Sequence, residues 1–222
     1  MFTFPYDYIM FVNALLILLF VVVLYRGYKE GMLLQVVNLI NTFVAVVIAW
    51  LFADVFAEIY QFVHYNKTGY ISLDNFFTSN ANKLIWFFVL FVVIRLLLMV
   101  LKPIASGISK MPLIKQVNSL AGGLFSIVTF VVYLVLITIF LTLPIIENGA
   151  EVIEGSYLGT VNRILEPALS GLEKTIQKNE SIQYILSEKE LTLSQKQSIV
   201  DMLTENGFSN DEIREFLSKY HD

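Results

Sequence analysis

The sequence predicts an all-α, polytopic membrane protein with four transmembrane helices and a C-terminal, extracytoplasmic helical tail. Three observations carry that expectation. Of the 222 residues, 56% are hydrophobic and only 15% are charged, where soluble domains run nearer to about 25% charged. Four apolar runs approach or exceed the roughly 20 residues that cross a bilayer. As helices of a water-soluble bundle, four such runs would leave no polar face.

The spans are expected at residues 8–25, 31–53, 84–101 and 120–146. The first has a short apolar run, extended by the interface-type residues Tyr8 and Tyr25. No Lys or Arg precedes it and no small-residue cleavage site follows, so it reads as a retained span rather than a signal peptide. The fourth is long and should tilt or protrude. Between the second and third spans, helix should continue past residue 53, and "NKTGY" reads as a turn. Between the third and fourth, Ile104, Ile108 and Met111 recur at i, i+4 and i+7, which fits a short interfacial helix stopped by Pro112.

The membrane domain is thus placed at 1–149. Residues 150–186 read as an amphipathic helical segment interrupted near Pro167. Residues 187–222 read as a helical hairpin. Thr192 with Gln195, and Ser209 with Glu212, have capping-box spacing. Gly207 sits where a C′ glycine belongs. Ile199, Leu203, Ile213, Phe216, Leu217 and Tyr220 form apolar faces. Helices this short are marginal alone, so the hairpin should dock on the membrane domain, on lipid, on a protein partner or on a second copy.

Charge sets the expected orientation. The gap after the first span carries Arg26 and Lys29, and the gap after the third carries Lys102, Lys110 and Lys115 without an acid. Glu147, Glu151 and Glu154 follow the fourth span. Basic loops stay in the cytoplasm, so both termini should be extracytoplasmic and the three lysines should meet anionic lipid head groups of the inner face. A net charge of −4 argues against nucleic acid. There is no cysteine, and the two histidines, His64 and His221, are isolated; neither a metal site nor a cofactor is expected.

Polar residues inside the spans suggest a packing seam. Gln35, Asn38, Thr42, Ala45 and Ala49 share a helical face, Asn13 lies on the first span, and Gly122, Gly123 and Ser126 open the fourth. Small residues let helix backbones approach in lipid, and polar ones bond across the contact. Arg95 is the ionisable residue deepest in a span, roughly 10 Å from the inner boundary at 1.5 Å per residue. Three readings stay open: it snorkels to lipid phosphates, pairs with Asn38 or Glu30, or binds an anion.

Two motif blocks carry a family resemblance. The first is R-G-x-x-x-G, here Arg26, Gly27 and Gly31. The second, "SGISKMPLIKQVNSLAGGLFSIV", places Asn118 four residues before Gly122, after Pro112. With a weaker echo in "GSYLGTVNRILEPAL", the chain resembles the colicin V production (CvpA) family over roughly residues 5–172. Ser126 departs from the family's usual glycine but keeps a small-xxx-small spacing. The resemblance implies a bacterial inner-membrane protein tied to colicin V production and envelope maintenance.

A non-enzymatic accessory or scaffold is therefore expected, and a small oligomeric channel or transporter component is the alternative. A membrane enzyme would need acid–base groups, for which Asp54, Glu58, Asp74 and His64 are available; solvated loop acids are the better expectation. Two glycines four apart exceed what a charge anchor requires. The turn of Arg26, Gly27, Lys29 and Gly31 is accordingly read also as a recognition site, for lipid head groups or a partner.

Overall fold

The structure, a computed structural model, describes residues 2–66, 68–99, 115–165 and 170–218. After a 3-10 turn at Tyr6–Tyr8 come four long helices: α1 (Ile9–Glu30), α2 (Met32–Ile59), α3 (Ile71–Met99) and α4 (Lys115–Leu141). Shorter ones follow: α5 (Gly149–Gly155), α6 (Tyr157–Leu165), α7 (Ser170–Leu186), α8 (Leu193–Glu205) and α9 (Asn210–Ser218). Among the described residues there is no strand. The helix expected around Ile104–Met111, the roles of Pro112 and Pro167, and Tyr220 lie outside the described residues.

The four long helices are long and apolar enough to cross a membrane. Each turns large apolar side chains outward: Leu15, Leu51, Leu97 and Leu124 are 62, 66, 66 and 72% exposed. Such surface is unfavourable in water and matches lipid.

Three helices differ in their bounds from the sequence expectation. α1 runs on to Glu30, because nothing in "YRGYKE" breaks a helix interior except Gly27, which is tolerated. α3 starts at Ile71 rather than 84: "NFFTSNANK" is weak helix by propensity, but Leu73, Phe77 and Ala81 on one face are buried in a core that holds it helical. α4 begins at Lys115 and ends at Leu141 rather than 146. Pro144 lacks an N–H, crowds the carbonyl four residues back and disfavours helical backbone at Leu143.

Contacts divide the chain into two compact units. One holds Ile9–Ile59 and Trp86–Ile137. In it the expected stripe on α2 is buried at Gln35, Thr42, Ala45 and Ala49, and continues through Ala53 and Ala57. Edge-to-face ring pairs, Phe20–Phe130 at 5.0 Å and Trp50–Phe87 at 6.1 Å between centroids, add packing.

The other unit holds Met1–Tyr8, Tyr60–Ile85 and Thr138–Asp222. The segments that sequence separated at 150–186 and 187–222 both fall here, together with the start of α3. Its core joins Leu73 and Phe77 of α3, Ile182 and Ile185 of α7, Ile199 and Leu203 of α8, and Phe216 of α9. The Phe77 and Phe216 rings lie 5.4 Å apart. The hairpin thus docks within its own chain. Both capping boxes form, at Thr192–Gln195 and Ser209–Glu212, and Gly207 takes a positive φ of 82°.

Polar side chains hold the rest of this unit. Asp74, Thr78 and Asn82, at i, i+4 and i+8 on α3, bind the preceding loop: Asp74 Oδ1 accepts from the Thr68 N–H at 3.0 Å, Thr78 Oγ1 from the Tyr65 N–H at 2.9 Å, and Asn82 Oδ1 from the Phe62 N–H at 2.6 Å. Asp74 is therefore a buried staple and not a solvated loop acid. The Gln183 amide donates to the carbonyls of Leu141 and Leu143 at 3.1 Å and to that of Ile146, covering the frayed end of α4. Residues 2–4 bond the same turn: the Phe2 N–H donates to Ile145 O at 2.7 Å, and the Phe4 N–H to Asn148 Oδ1 at 2.8 Å.

On α7, burial and the nearby Glu154 carboxylate push Glu180 up to about 7. The folded chain then holds a proton that the unfolded chain has lost between about pH 4.5 and 7, so stability is highest below that window and falls as pH rises through it. The wild type should lose about 2–4 °C more than Glu180→Gln between pH 5 and pH 8, the shift that about 1 kcal/mol produces at this size. Thermal unfolding in detergent at the two pH values checks this; parallel curves would contradict it.

Candidate functional site

The motif residues meet at the end of α1. Gly31 is the only residue between α1 and α2. Its φ of 81° lies in the left-handed region that a side chain disfavours. Its N–H donates to Gly27 O at 2.9 Å, and its carbonyl accepts from the Gln35 N–H at 3.2 Å. One residue therefore closes α1 and opens α2. The expected turn of Arg26, Gly27, Lys29 and Gly31 is instead the last helical turn of α1 plus this single joint. Basic residues there also suit the negative end of the helix dipole.

α4 packs directly on the joint. Asn118 Oδ1 accepts from the Leu33 N–H at 3.2 Å, covering one of the four donors that the first turn of α2 leaves unpaired. Gly122 presses on α1 so closely that an added Cβ would stand 2.3 Å from Gly27 O and 2.7 Å from Gly31 Cα. A Cβ on Gly27 would stand 2.6 Å from Gly122 O and from Ser126 Cβ, and one on Gly31 2.1 Å from Asn118 Nδ2. Gly27 thus needs close approach, whereas Gly31 needs both approach and positive φ. The Ser126 hydroxyl bonds back to Gly123 O, so the departure from glycine adds no unpaired polar group. Farther along, the buried Thr129 hydroxyl donates to Gln35 Oε1 at 2.9 Å.

Charges surround the joint. Arg26 Nη2 lies 3.3 Å from Glu30 Oε1, and the other Glu30 oxygen accepts from Asn38 Nδ2 at 3.0 Å. Lys29 Nζ sits 6.0 Å from the Tyr25 ring centroid. A cavity of about 110 Å³ has polar walls of Arg26, Glu30, Gln35, Asn38, Arg95 and Thr129, with Tyr133 beside them. Arg95 and the two residues named as its possible partners therefore share one cavity, although Asn38 and Glu30 bond each other. A second cleft, about 360 Å³, is lined by Tyr25, Arg26, Lys29 and Asn118.

Not every residue singled out in the sequence comes to this place. Asn13 is half-buried elsewhere on α1. The Thr42 hydroxyl bonds its own helix at Asn38 O, 2.8 Å away. Pro112 lies outside the described residues. Thr129 and Tyr133 were missed, although 122, 126, 129 and 133 recur at the 4-3-4 spacing of one helical face. Among the described residues no group of three or more His, Asp or Glu could hold a metal ion.

Residues 12–164 match the family model described as colicin V production protein. The chain belongs to the colicin V production protein family. No curated protein and no solved structure matches it. The matched region takes in Arg26, Gly27 and Gly31, Asn118 and Gly122, nearly all of α1, and the whole of α2 to α4. Helices α7 to α9 lie beyond the match.

Two adjacent glycines separate packing from composition. A Cβ on Gly123 would find its nearest neighbour at 3.9 Å, in ordinary contact. Gly122→Ala should lower stability by about 1–3 kcal/mol through overpacking, while Gly123→Ala should be neutral or stabilising by helix propensity. Unfolding midpoints in detergent decide, and equal effects of the two would contradict the joint.

Proposed function

We propose that the protein is a non-enzymatic scaffold or accessory of the bacterial cell envelope, serving envelope maintenance or the production and export of colicin V-type toxins. Its α1–α2 joint faces the cytoplasm and both termini are extracytoplasmic. One observation supports the reading above others: Gly27, Gly31, Asn118 and Gly122 converge on a helix joint, an arrangement that fixes shape. Of the acid–base candidates, Asp74 is bonded into a loop and His64 is exposed. A small channel or transporter component is the second reading, favoured by the polar-walled cavity. Past Asn38, however, the seam narrows to Thr42, Ala45 and Ala49, all packed.

Complementation of a deletion strain tests this. Gly27→Leu should insert yet fail, while Asp54→Asn, Glu58→Gln and His64→Ala should complement fully. Failure of those three with normal insertion would point to an enzyme, and ion flux in liposomes to a channel. Single cysteines at Ser119 and Ser187 should label from opposite sides of intact cells; labelling of both from outside would overturn the orientation.

A further inference from the structure

We propose that the cavity lined by Arg95 and Arg26 binds the phosphate of an anionic phospholipid, with an acyl chain against Leu19, Val22 and Met99. The proposal rests on the membrane reading above and names the ligand of that joint. Three observations carry it.

The first is charge. Arg26, Arg95 and Glu30 line one cavity. Glu30 is 3.3 Å from Arg26 and also takes the Asn38 amide, so the described lining residues carry one positive charge in excess. Among the described residues no carboxylate lies within ion-pair distance of Arg95. A cation at this depth costs about 2.5–3.5 kcal/mol unless it finds a partner, and a guanidinium fork binds a phosphate with two hydrogen bonds.

The second is the cavity's mixed lining. Arg95, Thr129 and Tyr133 supply donors to it, and Leu19, Val22, Val23 and Met99 supply apolar surface. A soluble anion has no use for the apolar part; a lipid needs both.

The third is access. Val22 and Met99 are 42 and 46% exposed, on the faces that the long helices turn to lipid. A head group can therefore enter sideways from the bilayer, and about 110 Å³ is ample for a phosphate.

The test uses the full chain purified in detergent, with phosphatidylglycerol, diacylglycerol or inorganic phosphate added and binding read by native mass spectrometry. Phosphatidylglycerol should bind wild type with one strong site. Arg95→Met should weaken it about tenfold or more, as expected for losing a charged hydrogen-bonded pair, and Arg95→Lys by less. Unliganded Arg95→Met should unfold at or above the wild-type temperature, because an unpartnered charge has been removed. Undiminished binding by Arg95→Met, or equal binding of diacylglycerol, overturns the proposal. Equal competition by inorganic phosphate overturns the lipid assignment in favour of a soluble phosphate. On unaltered protein, phosphatidylglycerol with a photoreactive acyl chain should label residues 19–23 or Met99, and labelling elsewhere alone also overturns it. None of these readouts depends on complementation, so the lipid site and the scaffold reading fail separately.

Discussion

Backbone meets backbone where Gly27 of α1 faces Gly122 of α4, and no side chain fits between them. Lipid tails are as apolar as leucine, so helices in a bilayer gain little from hiding apolar surface; they gain from close contact and hydrogen bonds. The glycine contact provides the first, and it brings Asn118 and Thr129 within reach of α2 for the second. The single-residue link at Gly31 depends on the same contact, because Asn118 covers a donor that the abrupt start of α2 exposes. Charges then settle around a fixed frame: Glu30 bonds both Arg26 and Asn38, and Arg95 enters the same cavity from α3.

The second unit solves a different problem. Its short helices gain little helix stability on their own, and they bury their apolar faces on one another and on residues 71–85 of α3. Irregular backbone around this core would be costly if left unpaired. Asp74, Thr78, Asn82 and Gln183 cover it from regular helices. Gly149 belongs to the same device, since a Cβ there would stand 1.7 Å from Leu141 O.

Much of this was legible in the sequence. Apolar length announced the four long helices, and spacing announced the capping boxes and the buried faces of α8 and α9; the small-and-polar stripe on α2 is buried at Gln35, Thr42, Ala45 and Ala49 and half-buried at Asn38. The turn "YRGYKE" was misread because its charges look like a loop, whereas Arg26 and Glu30 are an i, i+4 helical pair. Asp74 looked solvated because its partner, Thr68, is fixed only once the loop folds back. The bonds from Gln183 to residues 37 to 42 positions earlier, and from Phe4 to Asn148 across 144 positions, leave no local pattern to read. Within the site, Gly27, Gly31, Asn118 and Gly122 were visible as spaced motifs, but that the two blocks touch was not, because spacing along one helix says nothing of the neighbour it meets.

If the two blocks act as one joint, their substitutions must be coupled. A double-mutant cycle between Gly27→Ala and Gly122→Ala, read as unfolding free energy in detergent, measures this directly. Each change forces the same pair of backbones apart, so the double variant should cost less than the sum of the singles by about 1 kcal/mol or more. Strict additivity would mean that the two glycines do not share a contact, and would contradict the account.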